Sequence, residues 1–187
     1  MVMSIDIQAF ENLFPDVVRH CDKGELDALL AAASSQEIPA GEVVIREGDV
    51  SGDLYFVVKG RLTSTLQGDN EFIEVGEVLA GDSFCKGSLL DPGPAIMTVT
   101  ANEDSELLML SHNAFRELEK EYLSMTGNLL RMLSDELIEL CRNADRMLFN
   151  RSAGLADDEP DRNKGSSMRE WAVSTFRGLF GEQEGKS

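Results

Sequence analysis

Residues 81–101, GDSFCKGSLLDPGPAIMTVTA, decide the fold of this chain. Gly81 precedes a short apolar run and is interpreted as a turn position that needs positive φ. The pair Pro92-Gly93 is a turn signal, and residues 97–101 form a β-rich run. The pattern predicts turns at Gly81 and at Pro92-Gly93, followed by a strand over residues 97–101.

The same stretch resembles the core motif of cyclic nucleotide-binding domains of the Crp/Fnr-like effector type. The motif there runs Gly-Asp-x-Phe-Gly-Glu-x-Ala-Leu-Leu, then a short spacer and Pro-Arg-x-Ala-Thr-Val-x-Ala. Residues 38–49 resemble the entry strands of that family and residues 54–62 its next hairpin. The resemblance covers roughly residues 25–121. It implies an α+β fold, a β-jelly roll (double-stranded β-helix) with N-terminal helices and a long C-terminal dimerisation helix.

The resemblance also implies where a ligand would lie. In the family, backbone N–H groups of a short helix and an Arg hold the cyclic phosphate, while a Glu accepts a hydrogen bond from the ribose 2′-hydroxyl. The corresponding pocket residues are Phe84, Cys85, Lys86, Gly87, Ser88, Ala95 and Thr98.

Three of these positions depart from the family motif. The Arg falls on Ala95, the Glu on Lys86 and the turn Gly on Cys85. Ala95 carries no charge, and an ammonium group cannot accept a hydrogen bond. Lys86 either serves another anionic ligand or is a solvated or paired surface residue, and Arg61 is left open as a replacement cation. The motif therefore predicts the fold while arguing against the usual ligand.

Strand and helix patterns agree with this fold. Residues 36–110 contain many short β-rich runs separated by turn residues, as in a β-sandwich or jelly roll. Residues 1–35 are predicted to form helices, because Ile7, Phe10 and Leu13 recur at helical spacing and Pro15 breaks the run. A second helix is predicted over about residues 23–33.

Residues 111–150 are predicted to form one long helix with Ser111 as its N-cap. One apolar stripe includes Met125 and Leu129, and a second follows heptad spacing. Because a helix with two stripes must bury both, we expect one to pack on the β-domain and the other on a second subunit. The alternative is a helix folded back along its own domain. The expected dimer seam comprises Leu123, Leu130, Leu133, Leu137, Leu140 and Met147.

The C-terminal region is predicted to be a linker followed by an amphipathic helix. Residues 151–167 are poor in apolar side chains. Residues 168–181 place apolar side chains at helical spacing, which indicates docking to a protein groove or, equally, packing on the chain's own domain. The residues of this segment are Met168, Trp171, Phe176, Leu179 and Phe180.

Charge and composition limit the classes of partner and function that we expect for this chain. The formal net charge is −17, which argues against a nucleic-acid partner. The weak basic excess of the tail does not favour a membrane surface. Three widely spaced cysteines predict reduced thiols in the cytoplasm, and Cys85 is either a reactive thiol or an inert buried one. We expect no metal, no cofactor, no signal peptide and no transmembrane helix.

Three function hypotheses follow. Residues 151–187 leave no room for a helix-turn-helix domain, and no catalytic arrangement is recognised, so we expect a non-enzymatic protein. The first hypothesis is a dimeric regulatory module that signals through its helix and tail. The second is a constitutive adaptor, and the third is a sensor that binds a cyclic nucleotide or dinucleotide in a non-standard pocket.

Overall fold

The structure is a computed structural model that describes residues 5–19, 21–68, 72–131, 133, 134, 138, 141 and 142. Its centre is two antiparallel four-stranded sheets and a short two-stranded ribbon. The first sheet has the order β1 (Ser34–Ile38), β10 (Ser105–Leu110), β4 (Leu54–Lys59), β7 (Ser83–Phe84). The second has the order β2 (Val43–Ile45), β9 (Thr98–Ala101), β5 (Arg61–Gln67), β6 (Phe72–Leu79). The ribbon pairs β3 (Val50–Ser51) with β8 (Gly93–Pro94).

Three short helices precede the sheets: α1 (Ile7–Leu13), α2 (Pro15–Val18) and α3 (Lys23–Ala32). The predicted break at Pro15 is present, because this residue starts α2 after the non-helical Phe14. Asp22 caps α3 in a reciprocal arrangement with Glu25, which satisfies two backbone N–H groups. The β-rich region begins at residue 34 rather than at the predicted 36.

The first sheet separates two apolar clusters. Phe56 and Leu108 face the helical cluster, which also contains Phe10 and Phe115. Alternate residues of the same strands, such as Val57, face the cluster between the two sheets. This period-two alternation is what buries both faces of the central strand. A β-sheet sandwich with helices on one side is the predicted jelly-roll arrangement.

The C-terminal helical region corrects one prediction. Ser111 caps α5 (His112–Glu121) as expected, with its hydroxyl accepting from the Ala114 N–H at 3.2 Å. Tyr122 then leaves helical geometry (φ −124°, ψ 60°), and helix resumes over residues 123–131. The expectation of one uninterrupted helix was therefore wrong at Tyr122. The buried Thr126 hydroxyl donates to the Tyr122 carbonyl at 3.0 Å, a contact that bends helices.

Candidate functional site

The turn between β7 and α4 (Lys86–Leu90) organises the site. Phe84 pairs with Tyr55 of β4 across the sheet, and their rings stack with centroids 4.9 Å apart and planes inclined by 8°. Both side chains belong to the cluster between the sheets. Strand pairing and ring stacking together fix the direction in which the chain enters the turn.

Cys85 occupies the tight position of this turn. Its backbone is left-handed (φ 59°, ψ 26°), and it is the one non-glycine residue with positive φ among the described residues. The turn therefore keeps the conformation that suits the family's Gly, at a cost on the order of 1–2 kcal/mol. Burial, followed by the charge of Asp53, raises the pKa of the Cys85 thiol to about 11. So high a pKa leaves little thiolate at neutral pH and favours the inert thiol over the reactive one.

The residues after Cys85 form the first turn of α4. The Ser88 N–H donates to the Cys85 carbonyl at 3.1 Å. Gly87 is exposed, and a Cβ built on it would contact nothing within 4 Å. Lys86 is half-buried at the start of the helix. These three predicted pocket residues thus lie together on the opening turn.

Ala95 and Thr98 are the remaining predicted pocket residues in residues 81–101, a stretch that we call the cassette. The Ala95 N–H donates to the Asp49 carbonyl at 2.8 Å, and its carbonyl accepts from the Gly48 N–H at 2.8 Å. The Ala95 methyl packs against the cluster between the sheets. Thr98 Oγ1 accepts from the Glu47 N–H at 3.0 Å. The Thr98 hydroxyl oxygen therefore satisfies a backbone N–H of a segment that is distant in sequence.

Arg61 does not replace the missing cassette arginine. It lies at the start of β5 and forms an ion pair with Glu77 at 3.4 Å. Along the same strand, the residue opposite Thr98 is Thr65. Four residues of strand separate the two positions, about 13 Å. The guanidinium is thus engaged at the end of the sheet away from Thr98.

The structure reveals an apolar surface that the sequence analysis missed. Val50 and Pro94 are paired across the ribbon, and Ile96 is two residues further on. The exposed fractions of Val50 and Ile96 are 78% and 66%. Pro94 is also exposed. We call Val50, Pro94 and Ile96 the ribbon face. A strand of two residues is too short to show period-two alternation in the sequence. The ribbon face therefore has no recognisable sequence signal.

The predicted dimer seam divides into three parts. Leu123 is 77% exposed, whereas Leu133 is buried and Leu130 packs partly against the helical cluster. Leu137, Leu140 and Met147 lie outside the described residues, as do residues 151–167 and the tail segment. Of the companion stripe, Met125 and Leu129 are buried in their own domain, whereas Ile138 and Cys141, which continue the stripe, are exposed.

The described part of the chain contains neither a group of side chains that could hold a metal ion nor a helix that could span a membrane. Within it, no His, Cys, Asp and Glu side chains form a group of three or more that could hold a metal ion. None of its helices has the length and apolar character needed to cross a bilayer.

Comparison with known proteins agrees with the geometry. Residues 35–122 match the model of the family described as "Cyclic nucleotide-binding domain". A cAMP-dependent protein kinase regulatory subunit of Blastocladiella emersonii is 31% identical over 107 residues, which are 57% of this chain and 27% of that protein. Lysophospholipase nte1 of Aspergillus oryzae is 32% identical over 87 residues, 46% of this chain and 6% of that protein.

Solved structures show the same fold. The crystal structure of a cyclic nucleotide-binding domain from Methylobacillus flagellatus superposes with a TM-score of 0.64 at 19% identity, covering 75% of this chain and 83% of that one. The chain spans about a quarter of the matched regulatory subunit and a far smaller share of the lysophospholipase.

Proposed function

Because residues 35–122 belong to the cyclic nucleotide-binding domain family, we propose that the chain is a non-enzymatic regulatory module that does not bind cAMP or cGMP in the usual way. The observation that carries this proposal is the environment of Ala95. Both of its backbone polar groups are used within the protein, and its methyl group faces the apolar interior. This position offers nothing to a cyclic phosphate.

The neighbouring positions support the same conclusion. Lys86 cannot accept the hydrogen bond of a ribose hydroxyl. The Thr98 hydroxyl accepts from the Glu47 N–H and can offer a phosphate only a neutral O–H, and Arg61 is paired with Glu77. A bound cyclic nucleotide would therefore lack its charge-assisted contacts, each of which contributes about 1.5–3 kcal/mol.

Thermal unfolding with each nucleotide tests this proposal. A ligand at a hundred times its dissociation constant stabilises by about 2.7 kcal/mol, which raises the midpoint of a chain this size by roughly 5–11 °C. We expect no such shift with cAMP or cGMP. A dose-dependent shift of that size with either nucleotide would contradict the proposal.

One observation favours a sensor with a non-standard pocket as the alternative. Cys85 keeps the left-handed turn geometry at a strain cost, and α4 still starts directly after it. A cyclic dinucleotide or other anion would then rely on Lys86 and the α4 backbone. In that case Lys86→Glu or Ser88→Ala weakens binding, while the Arg61→Ala variant, changed far from the cassette, does not.

We further propose that the module is a homodimer and that its state reaches a protein partner through the C-terminal region. Leu123 carries the dimer proposal, because it stays 77% exposed while Met125 and Leu129 on the same segment are buried. Covering this side chain with a second subunit would remove its apolar surface from water, which favours association.

Light scattering after size exclusion tests the dimer. Leu123→Asp is expected to shift the mass from dimer towards monomer, because a carboxylate in a helix seam would lose its hydration. Val50→Asp is the matched control, since Val50 has almost the same exposure (78%) and lies on the ribbon face. A monomeric wild type, or a loss of dimer in both variants alike, would refute this assignment.

A further inference from the structure

The ribbon face is an apolar surface without an assigned role. Val50 and Pro94 face each other across the ribbon, so their side chains lie on one side of it. Ile96 follows two residues after Pro94, beyond the inward-packing Ala95, and is itself exposed. With Val50 and Ile96 more than half exposed, the surface is open to a partner.

The surroundings of the ribbon face are acidic. Exposed carboxylates of Glu47, Asp49 and Asp91 lie on the segments that form or border it. Arg46 is the one basic residue within residues 46–53 and 91–96. An apolar surface with an acidic border fits a segment that carries apolar side chains together with positive charge.

We propose that residues 168–180 of the same chain dock on the ribbon face. In this segment the residues that fall at helical spacing are Met168, Trp171, Ala172, Thr175, Phe176, Leu179 and Phe180, and Arg169 and Arg177 outnumber the single acidic residue. Its chemistry thus complements the surface in both apolar character and charge.

The chain is long enough for this contact to form in cis. From residue 142 to residue 168 there are 26 residue steps, which span up to about 90 Å when extended. A domain of this size is only about 30–40 Å across. Tethering also supplies an effective concentration on the order of 1 mM, so a dissociation constant of about 0.1 mM suffices to dock roughly nine chains in ten.

Docking at this place would couple the tail to the cassette. Pro94 and Ile96 flank Ala95, whose backbone is paired with residues 48 and 49. A tail bound there would be withheld from a protein partner until it is released. That regulatory meaning rests on the proposed function, whereas the docking itself does not.

The single tryptophan of the chain gives a direct test, because Trp171 lies in the docking segment. Acrylamide quenching of its fluorescence is measured in the full chain and in a peptide of residues 168–180. We expect acrylamide to quench Trp171 several-fold more weakly in the full chain than in the peptide. This protection should stay the same when the full chain is serially diluted. Val50→Asp and Ile96→Asp are expected to restore peptide-like quenching, whereas the equally exposed Leu123→Asp leaves the protection in place.

Three outcomes would overturn the proposal. Quenching in the wild type that equals that of the peptide means that the tail is not docked. Protection that disappears on dilution assigns the occupant to a second copy. Protection that persists in both ribbon-face variants places the tail elsewhere. Circular dichroism melting of each variant checks that the domain is folded. Nucleotide binding is measured separately, so that a failure of the docking proposal can be distinguished from a failure of the proposed function.

Discussion

Restoring the two family residues should create a cyclic AMP site. In the double variant Ala95→Arg/Lys86→Glu, the guanidinium replaces a methyl group that points into the interior between the sheets, and the carboxylate stands at the first position of α4. Two charge-assisted contacts at about 1.5–3 kcal/mol each add about 3–6 kcal/mol of binding free energy. That corresponds to a gain on the order of 10²–10⁴-fold in affinity, read by isothermal titration calorimetry.

The adjacent position provides the matched control. Ile96→Arg adds the same charge one residue further on, but on the exposed ribbon face, and it is expected to leave cyclic AMP binding unchanged. An equal gain from Ile96→Arg would show that general charge rather than the cassette position is responsible. A folded double variant with no gain would refute the reasoning that the side chains at 86 and 95 are what the site lacks.

Two further predictions concern stability. Gly60→Ala should lower the free energy of unfolding by about 2–5 kcal/mol, because left-handed strain adds to overpacking where the new Cβ would meet the Ser105 Cα at 2.8 Å. Gly41 has a similar φ but open space around the position of a Cβ, so Gly41→Ala should lower the free energy of unfolding through the strain alone. Both free energies are measured by urea unfolding. Burial raises the pKa values of Cys85 to about 11 and Tyr55 to about 12. The contribution of these two groups to stability is therefore complete below pH 9 and is lost as pH rises through the folded-state pKa values. The midpoint of urea unfolding should accordingly fall between pH 9 and 12, and it should fall less in a folded Cys85→Ser variant. An equal fall in the wild type and the variant would contradict this role of Cys85.

The fold was predictable because its signals are local. Pro15 ends one helix and starts the next, and Ser111 caps α5 where its sequence context predicts a cap. Met125 and Leu129 follow the helical period and are buried on the β-domain as expected. Each of these features depends on a few neighbouring residues and on solvent exclusion.

Of the features that were missed, the break at Tyr122 is local, whereas the other two depend on distant parts of the chain. The break at Tyr122 has no Gly or Pro to mark it, and the signal that could have revealed it is Thr126, whose hydroxyl bonds the Tyr122 carbonyl. The engagement of Arg61 with Glu77 follows from strand register, which the sequence does not specify. The ribbon face arises from two-residue strands brought together by the jelly-roll topology.

For the candidate site, Phe84 to Ser88 lie together at the turn between β7 and α4, but the sequence left the environments of the predicted pocket residues open. That Cys85 keeps a glycine-like backbone, and that its thiol is held protonated by burial, became clear only from the packing between the sheets. Likewise, Thr98 was a candidate ligand residue whose hydroxyl oxygen proves to accept from the backbone N–H of Glu47. The local sequence predicts which residues lie near one another, whereas tertiary packing and hydrogen bonds determine which of their donors and acceptors remain available to a ligand.

The most direct test of the proposed function is isothermal titration of the wild-type chain with cyclic AMP, cyclic GMP and a cyclic dinucleotide. We predict no saturable heat with any of them, because Ala95 supplies no cation for the cyclic phosphate and Lys86 supplies no acceptor for the ribose hydroxyl. Saturable binding of cyclic AMP or cyclic GMP at micromolar concentration or below would contradict this, and would show that the cassette works without them. Binding of the dinucleotide alone would instead establish the non-standard sensor.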